Sequence, residues 1–213
     1  MERSLCSAQT RRLKTLLVVT MSVLLFTLAA SPAAAAFSQQ GAKLVGTGAA
    51  NPAQQGSSVA VSADGNTAVV GGFTDNSSFG AAWVYTRSAG VWSQQGLKLV
   101  AAGSANTAQQ GSSVAVSADG NTAFVGGSND NGGAGAAWVY TRDYEPAGAV
   151  WSQQARLFGT GASGAARQGT SVAVSADGST AVVGGYSDNS GAGAAWVYFD
   201  STVPVELSRF TVE

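Results

Sequence analysis

The sequence predicts an all-β fold made of three four-stranded antiparallel repeat units. Three observations carry this. The stretch GSSVAVSADGNTA at Gly56 returns unchanged at Gly111 and as GTSVAVSADGST at Gly169, a period of 55 and then 58 residues. Each copy has the same neighbours, an aromatic-Ser-Gln-Gln upstream at Phe37, Trp92 and Trp151, and GAAWVY downstream at Gly80, Gly135 and Gly193. Finally, residues 37–213 show alternation at period two and no sustained helical periodicity.

The central element is a hairpin. In Ser58-Val59-Ala60-Val61-Ser62 the valines alternate with small or polar residues, and Thr67-Ala68-Val69-Val70 follows after only Ala63-Asp64-Gly65-Asn66. β-Branched residues at period two around an Asp-Gly pair are a strong short-range hairpin signal. Gly65, Gly120 and Gly178 supply the positive φ that such turns require.

Read in order, the units span residues 37–90, 91–149 and 150–199. Unit two offers the strands WSQQGLKLV from Trp92, SSVAVS from Ser112, NTAFVGG from Asn121 and GAAWVYT from Gly135, separated by Gly, Asn, Asp and Ser clusters. Four-stranded units of roughly 40 to 50 residues are the pattern of β-propeller blades, and here the excess length lies in linkers such as residues 46–55 and 103–110. The paired alanines at 81–82, 136–137 and 194–195 suit close backbone approach. Trp83 and Tyr85 share one strand face, as do Trp138 and Tyr140, and Trp196 and Tyr198. They read as packing between blades, with a stacking platform for sugars as the functional alternative.

Propellers close with about four to eight blades, so three units leave two blade faces bare, roughly 300 Å² each. An incomplete propeller, completed by self-association or by further repeats, is therefore expected.

Residues 1–36 read as a secretory signal peptide, with Arg3, Arg11, Arg12 and Lys14 as a basic n-region, an apolar run over residues 16–29, and Pro32 followed by four alanines as a cleavage zone. Cleavage there would leave Phe37 first, and the protein would be secreted or displayed at the cell surface with no membrane attachment. The alternative is an uncleaved anchor. The only cysteine, Cys6, lies in this segment, so the mature chain uses neither disulfides nor thiolate chemistry.

Four of the 11 basic residues and one of the 12 acidic residues, Glu2, also lie there. Residues 37–213 therefore carry seven basic and 11 acidic side chains, a net charge of −4. That argues against a nucleic-acid partner, which requires a basic stripe.

No catalytic constellation emerges. There is no histidine to serve as a general base, no serine in G-x-S-x-G, and the carboxylates mostly recur in turns at the repeat period. The sequence reads as a non-enzyme without a cofactor.

The order Gln-Gly-Ser-Ser-Val-Ala-Val, a short turn, then Ala-Val-Val-Gly-Gly resembles the FG-GAP repeat of integrin α-subunits. The WSQQGxKL and GAAWVY pieces resemble its variant in bacterial secreted proteins. The resemblance covers nearly all of residues 37–199 and implies a β-propeller that binds proteins or glycans through its loops, in the manner of adhesion proteins. Three departures stand out. Gln55, Gln110 and Gln168 replace the family's Phe, and Gly71-Gly72 and its counterparts replace Gly-Ala-Pro. The turn Ser62-Ala63-Asp64-Gly65-Asn66 has one carboxylate where the family's calcium loop has several, so no metal site is expected.

Asp75, Asp130 and Asp188, each followed by Asn, are weak metal-ligand candidates and otherwise plain turn formers. The tail, residues 200–213, contains PVELSRFTVE. It resembles the linker and first strand of a C-terminal sorting or anchoring β-sandwich, with an edge-covering strand as the alternative.

The linkers and the Asp-Asn loops vary between units, whereas the Asp-Gly turns hardly do. Variable loops on a rigid scaffold are where recognition resides, so the candidate ligand-binding residues are the loop aromatics Phe73, Phe79 and Tyr186. Two further readings stand beside ligand binding: a structural spacer or display segment with no ligand, and a propeller hydrolase or lyase.

Overall fold

The structure is a computed structural model that describes residues 37–50, 52–105, 107–145 and 148–201. Residues 1–36, expected from the sequence to be a signal peptide, and the tail beyond residue 201 lie outside the described residues. By its internal contacts the chain divides into Met1–Gln39 and Gln40–Glu213. The described part of the first unit, residues 37–39, is exposed and without regular secondary structure. The fold that follows is that of the second.

It is all-β. Eleven strands form three antiparallel sheets of four, four and three strands, each a meander in which sequence neighbours pair. The first contains β1 (Ser58–Val61), β2 (Thr67–Gly72), β3 (Ala81–Ser88) and β4 (Val91–Gln94). In the second are β5 (Gln110–Val116), β6 (Thr122–Gly127), β7 (Ala136–Glu145) and β8 (Gly148–Leu157). The third has β9 (Ser171–Val174), β10 (Thr180–Gly185) and β11 (Ala194–Phe199).

The Asp-Gly hairpin forms as the pattern predicts. Val61 faces Ala68 across β1 and β2, the Gly65 N–H closes on the Ser62 carbonyl at 2.9 Å, and Gly65 has φ +68°. Asp64 shapes the turn, its oxygens accepting the Ser62 hydroxyl at 2.5 Å, the Asn66 N–H at 2.9 Å and the Asn66 amide at 3.0 Å. Asp119 and Asp177 repeat this arrangement.

The sheets are offset from the sequence units by one strand. Trp92 and its neighbours, the expected opening strand of unit two, instead form the outer edge of the first sheet, with Arg87 opposite Trp92 and Ser88 opposite Val91. The cause is the two-residue connection Ala89-Gly90, at φ +48° and +79°. Positive φ at both positions is the hairpin geometry that matches strand twist, and it sends the chain straight back along β3. Four more residues separate Arg142 from Val150 than separate Arg87 from Val91, which lengthens the turn end of the β7–β8 hairpin. β8 also runs on to Leu157 past a register shift at Val139/Tyr140, so both strands have ten residues.

For the same reason the third unit corrects the expectation of four strands. Its sheet has three, because the aromatic-Ser-Gln-Gln strand belongs after GAAWVY, and none follows β11 among the described residues.

The sheets pack in sequence, β5 against β1 and β2, and β9 against β5 and β6. Val69, Val84, Leu99, Val125 and Trp138 form the core between the first two, with Val114, Val116 and Trp151 packed on it. The glycine pairs are explained here. A Cβ on Gly71 would sit 2.2 Å from the Gly111 carbonyl oxygen of the next sheet, and one on Gly126 would sit 2.1 Å from that of Gly169. No side chain fits between backbones this close, which accounts for the first glycine of the pairs at 71–72 and 126–127.

Candidate functional site

The candidate site is the loop face built from the linkers and the Asp-Asn turns. Each Asp-Asn turn is a four-residue helical turn, Asp75–Ser78, Asp130–Gly133 and Asp188–Gly191, interrupted by left-handed residues. In the first, Asn76 has φ +48° and Ser77 φ +59°. Asn tolerates this region because its short amide can bond locally.

The aspartate at the head of each turn holds the linker. Asp75 accepts the Ala50 N–H at 2.6 Å, Asp130 that of Ala105 at 2.7 Å and Asp188 that of Ser163 at 2.7 Å. The second oxygen of Asp75 takes the Lys98 ammonium at 2.5 Å, and that of Asp130 takes the Arg156 guanidinium. Asp75 and Asp130 are buried, so both carboxylates are committed to protein partners on both oxygens. No group of three or more His, Cys, Asp or Glu side chains converges among the described residues.

The linkers are fixed from inside as well. Gln55 bonds the Gly46 N–H and carbonyl at 2.6 and 3.0 Å, and Gln168 bonds those of Gly159 at 2.7 and 3.1 Å. Gln110 accepts the Ala101 N–H at 2.8 Å and donates to the Tyr140 hydroxyl at 2.6 Å. Burial pushes the Tyr140 phenol well up from its ordinary value. These glutamines brace each linker through its backbone.

Neighbouring units are joined along this face. The Gln109 and Gln110 N–H groups donate to the carbonyls of Ser78 and Phe79 at 3.0 Å, and Arg167 and Gln168 donate to Gly133 and Ala134 at 2.9 and 3.0 Å. Linkers and Asp-Asn turns thus form one continuous, backbone-tied surface.

On it Phe79 is 40 % and Tyr186 64 % exposed, while Phe73 is half-buried. Phe73 and Phe79 flank the same turn. Tyr186 occupies the position of Phe73 in the third unit, so the second sheet stands between them and the three aromatics do not form one cluster.

At the opposite end the Asp-Gly turns are bonded in a row, Ala63 N–H to the Ala118 carbonyl at 3.0 Å and Ala118 N–H to that of Ala176 at 2.9 Å. Next to that row a cleft of about 600 Å³ opens between the second and third sheets, lined by Thr122, Phe124, Leu157, Tyr198, Phe199 and Asp200 among others. Sequence reasoning missed it. The signal was the replacement of the arginine in WVYTR by Asp200. Between the first two sheets Arg142 reaches across to Thr67 and Gln95, at 3.4 and 3.3 Å, and fills the corresponding space.

No protein-family model matches the chain, and no curated protein matches it.

Proposed function

We propose that this chain is a secreted, non-enzymatic repeat module of the FG-GAP kind, with propeller-type blades, that binds an extracellular protein or glycan on its linker and Asp-Asn face. The observation that supports it is the threefold pairing of a varied loop sequence with an invariant brace. Asp75, Asp130 and Asp188 each hold a linker N–H, at Ala50, Ala105 and Ser163, while the residue two further on differs, being Pro52, Thr107 and Ala165. A rigid frame carrying variable tips is the arrangement of binding surfaces generally. The exposed rings of Phe79 and Tyr186 offer large contact area at low entropic cost.

The test is binding to a glycan array and to extracellular protein extracts. The variant Phe73→Ser/Phe79→Ser/Tyr186→Ser is compared with Tyr144→Ser on the opposite end. Loss of about tenfold or more in affinity in the triple variant alone supports the reading. Loss only with Tyr144→Ser moves the site to the Asp-Gly end, and no binding at all favours a spacer role.

A further inference from the structure

Two of the three aromatic-Ser-Gln-Gln copies form the outer strands β4 and β8. The third sheet has no outer strand among the described residues, and the remaining copy, residues 37–40, continues as Gly-Ala-Lys-Leu without forming one. Gln40 is nevertheless placed as an outer-strand residue would be. Its Oε1 accepts from Arg87 at 3.3 Å and from Trp92 at 3.1 Å. Gln95, which leaves β4, accepts from Arg142 and Trp151 of the following sheet at 3.3 and 2.9 Å. Gln40 therefore stands where the outer strand of a sheet preceding β1 belongs.

The charges are complementary in the same sense. Asp75 is paired with Lys98 and Asp130 with Arg156. The third aspartate, Asp188, keeps the linker bond to Ser163 and has no cation among the described residues. Lys43, which matches Lys98 in the repeat, is exposed and has no carboxylate there.

The packing faces match too. Val69 and Val84 of the first sheet are fully covered by the second, whereas their equivalents in the third, Val182 and Val197, are 38 % and 70 % exposed. At the other end of the stack Val59 and Val61 are 69 % and 60 % exposed, whereas their equivalents Val114 and Val116 pack in the core. Gly111 and Gly169 lie against the preceding sheet, while Gly56 has open space around its Cβ direction.

We infer that a second copy of the chain completes the third sheet. Residues 37–44 of the donor pair antiparallel with β11 of the acceptor. Lys43 meets Asp188, Leu44 lies opposite Ala195 as Leu99 does Ala82 and Leu157 does Ala137, and the donor's β1 covers Val182 and Val197. The contact is head-to-tail, so it closes only in a ring. Each junction covers two bare faces, roughly 600 Å². Two copies closed on each other make it twice, about 1,200 Å² before strand pairing, which reaches the range of stable interfaces. The inference is independent of any ligand.

The test uses the full chain with Cys6→Ser, which is then free of cysteine. Opposed residues of an antiparallel pair have Cα atoms within disulfide reach, about 5.5 Å. Leu44→Cys and Ala195→Cys single variants, mixed and mildly oxidised, should give a disulfide-linked product of two chains containing the 44–195 bridge. Lys43→Glu and Asp188→Lys should each weaken self-association about tenfold, and the two reversals combined should restore part of it, since Asp188→Lys also gives up the linker bond to Ser163. A monomeric chain without that bridge would overturn the inference. So would a 44–195 bridge closing within one monomeric double-cysteine chain, or self-association indifferent to both charge reversals.

Discussion

Asp130 holds the Arg156 guanidinium on one oxygen and the Ala105 N–H, at 2.7 Å, on the other, with none of its surface exposed. The pair thus locks the linker, the turn and β8 together. Removing the carboxylate strands an arginine that is about one-third exposed and a backbone N–H. Asp130→Ala should therefore cost about 2–4 kcal/mol in denaturant unfolding. Asp188→Ala breaks the equivalent linker bond but no ion pair among the described residues, and should cost about 1 kcal/mol in the dissociated chain.

Gly71 and Gly184 occupy the same repeat position in different surroundings. A Cβ on Gly71 meets the Gly111 backbone at 2.2 Å, whereas one on Gly184 meets first the Ser171 hydroxyl, which can rotate away. In the dissociated chain Gly71→Ala should destabilise by about 2 kcal/mol or more, and Gly184→Ala by clearly less, measured as midpoint shifts at constant slope.

The Asp-Gly turns are expected to contribute to the acid limit of stability. The Ser62 hydroxyl, the Asn66 N–H and the Asn66 amide hold Asp64 down at about 2, against an ordinary 3.8, and Ser175 and Ser179 do the same for Asp177. For Asp119, burial pushes upward, but the bonds from Ser117 and Asn121 and the charge of Arg142 outweigh it and leave it lowered. A depressed folded-state value means stabilisation that is fully present above the unfolded value and lost as pH falls through the folded one. Melting temperature should therefore drop between about pH 4 and pH 2, and the drop should be shallower in Asp64→Asn/Asp119→Asn/Asp177→Asn. An equal acid slope in that variant would show that other carboxylates govern it.

Much of the fold was legible because the repeats carry local signals. Val59-Ala60-Val61 and Thr67-Ala68-Val69 alternate around Asp64-Gly65, which fixes the hairpin before any long-range contact forms. The strand offset was not legible, because Ala89-Gly90 is a weak turn signal beside Asp-Gly and only pairing with β3 shows where Trp92 belongs. The roles of Gln55, Gln110 and Gln168 were hidden for a related reason. A glutamine that braces a backbone nine residues away leaves no mark in the sequence except its recurrence. Asp75 and Asp130 read as turn formers, yet their cations come from Lys98 and Arg156, which the sequence had placed in the following unit or left without a role. At the candidate site the sequence marked the variable loops correctly as loops, but not that Phe73 is half-buried or that Tyr186 stands a sheet away from it.

Images of the assembled protein test the propeller-type reading most directly. Class averages by electron microscopy should show two copies closing a ring of six sheets around a central channel. Open three-sheet arcs, or sheets stacked into an unclosed filament, would contradict it.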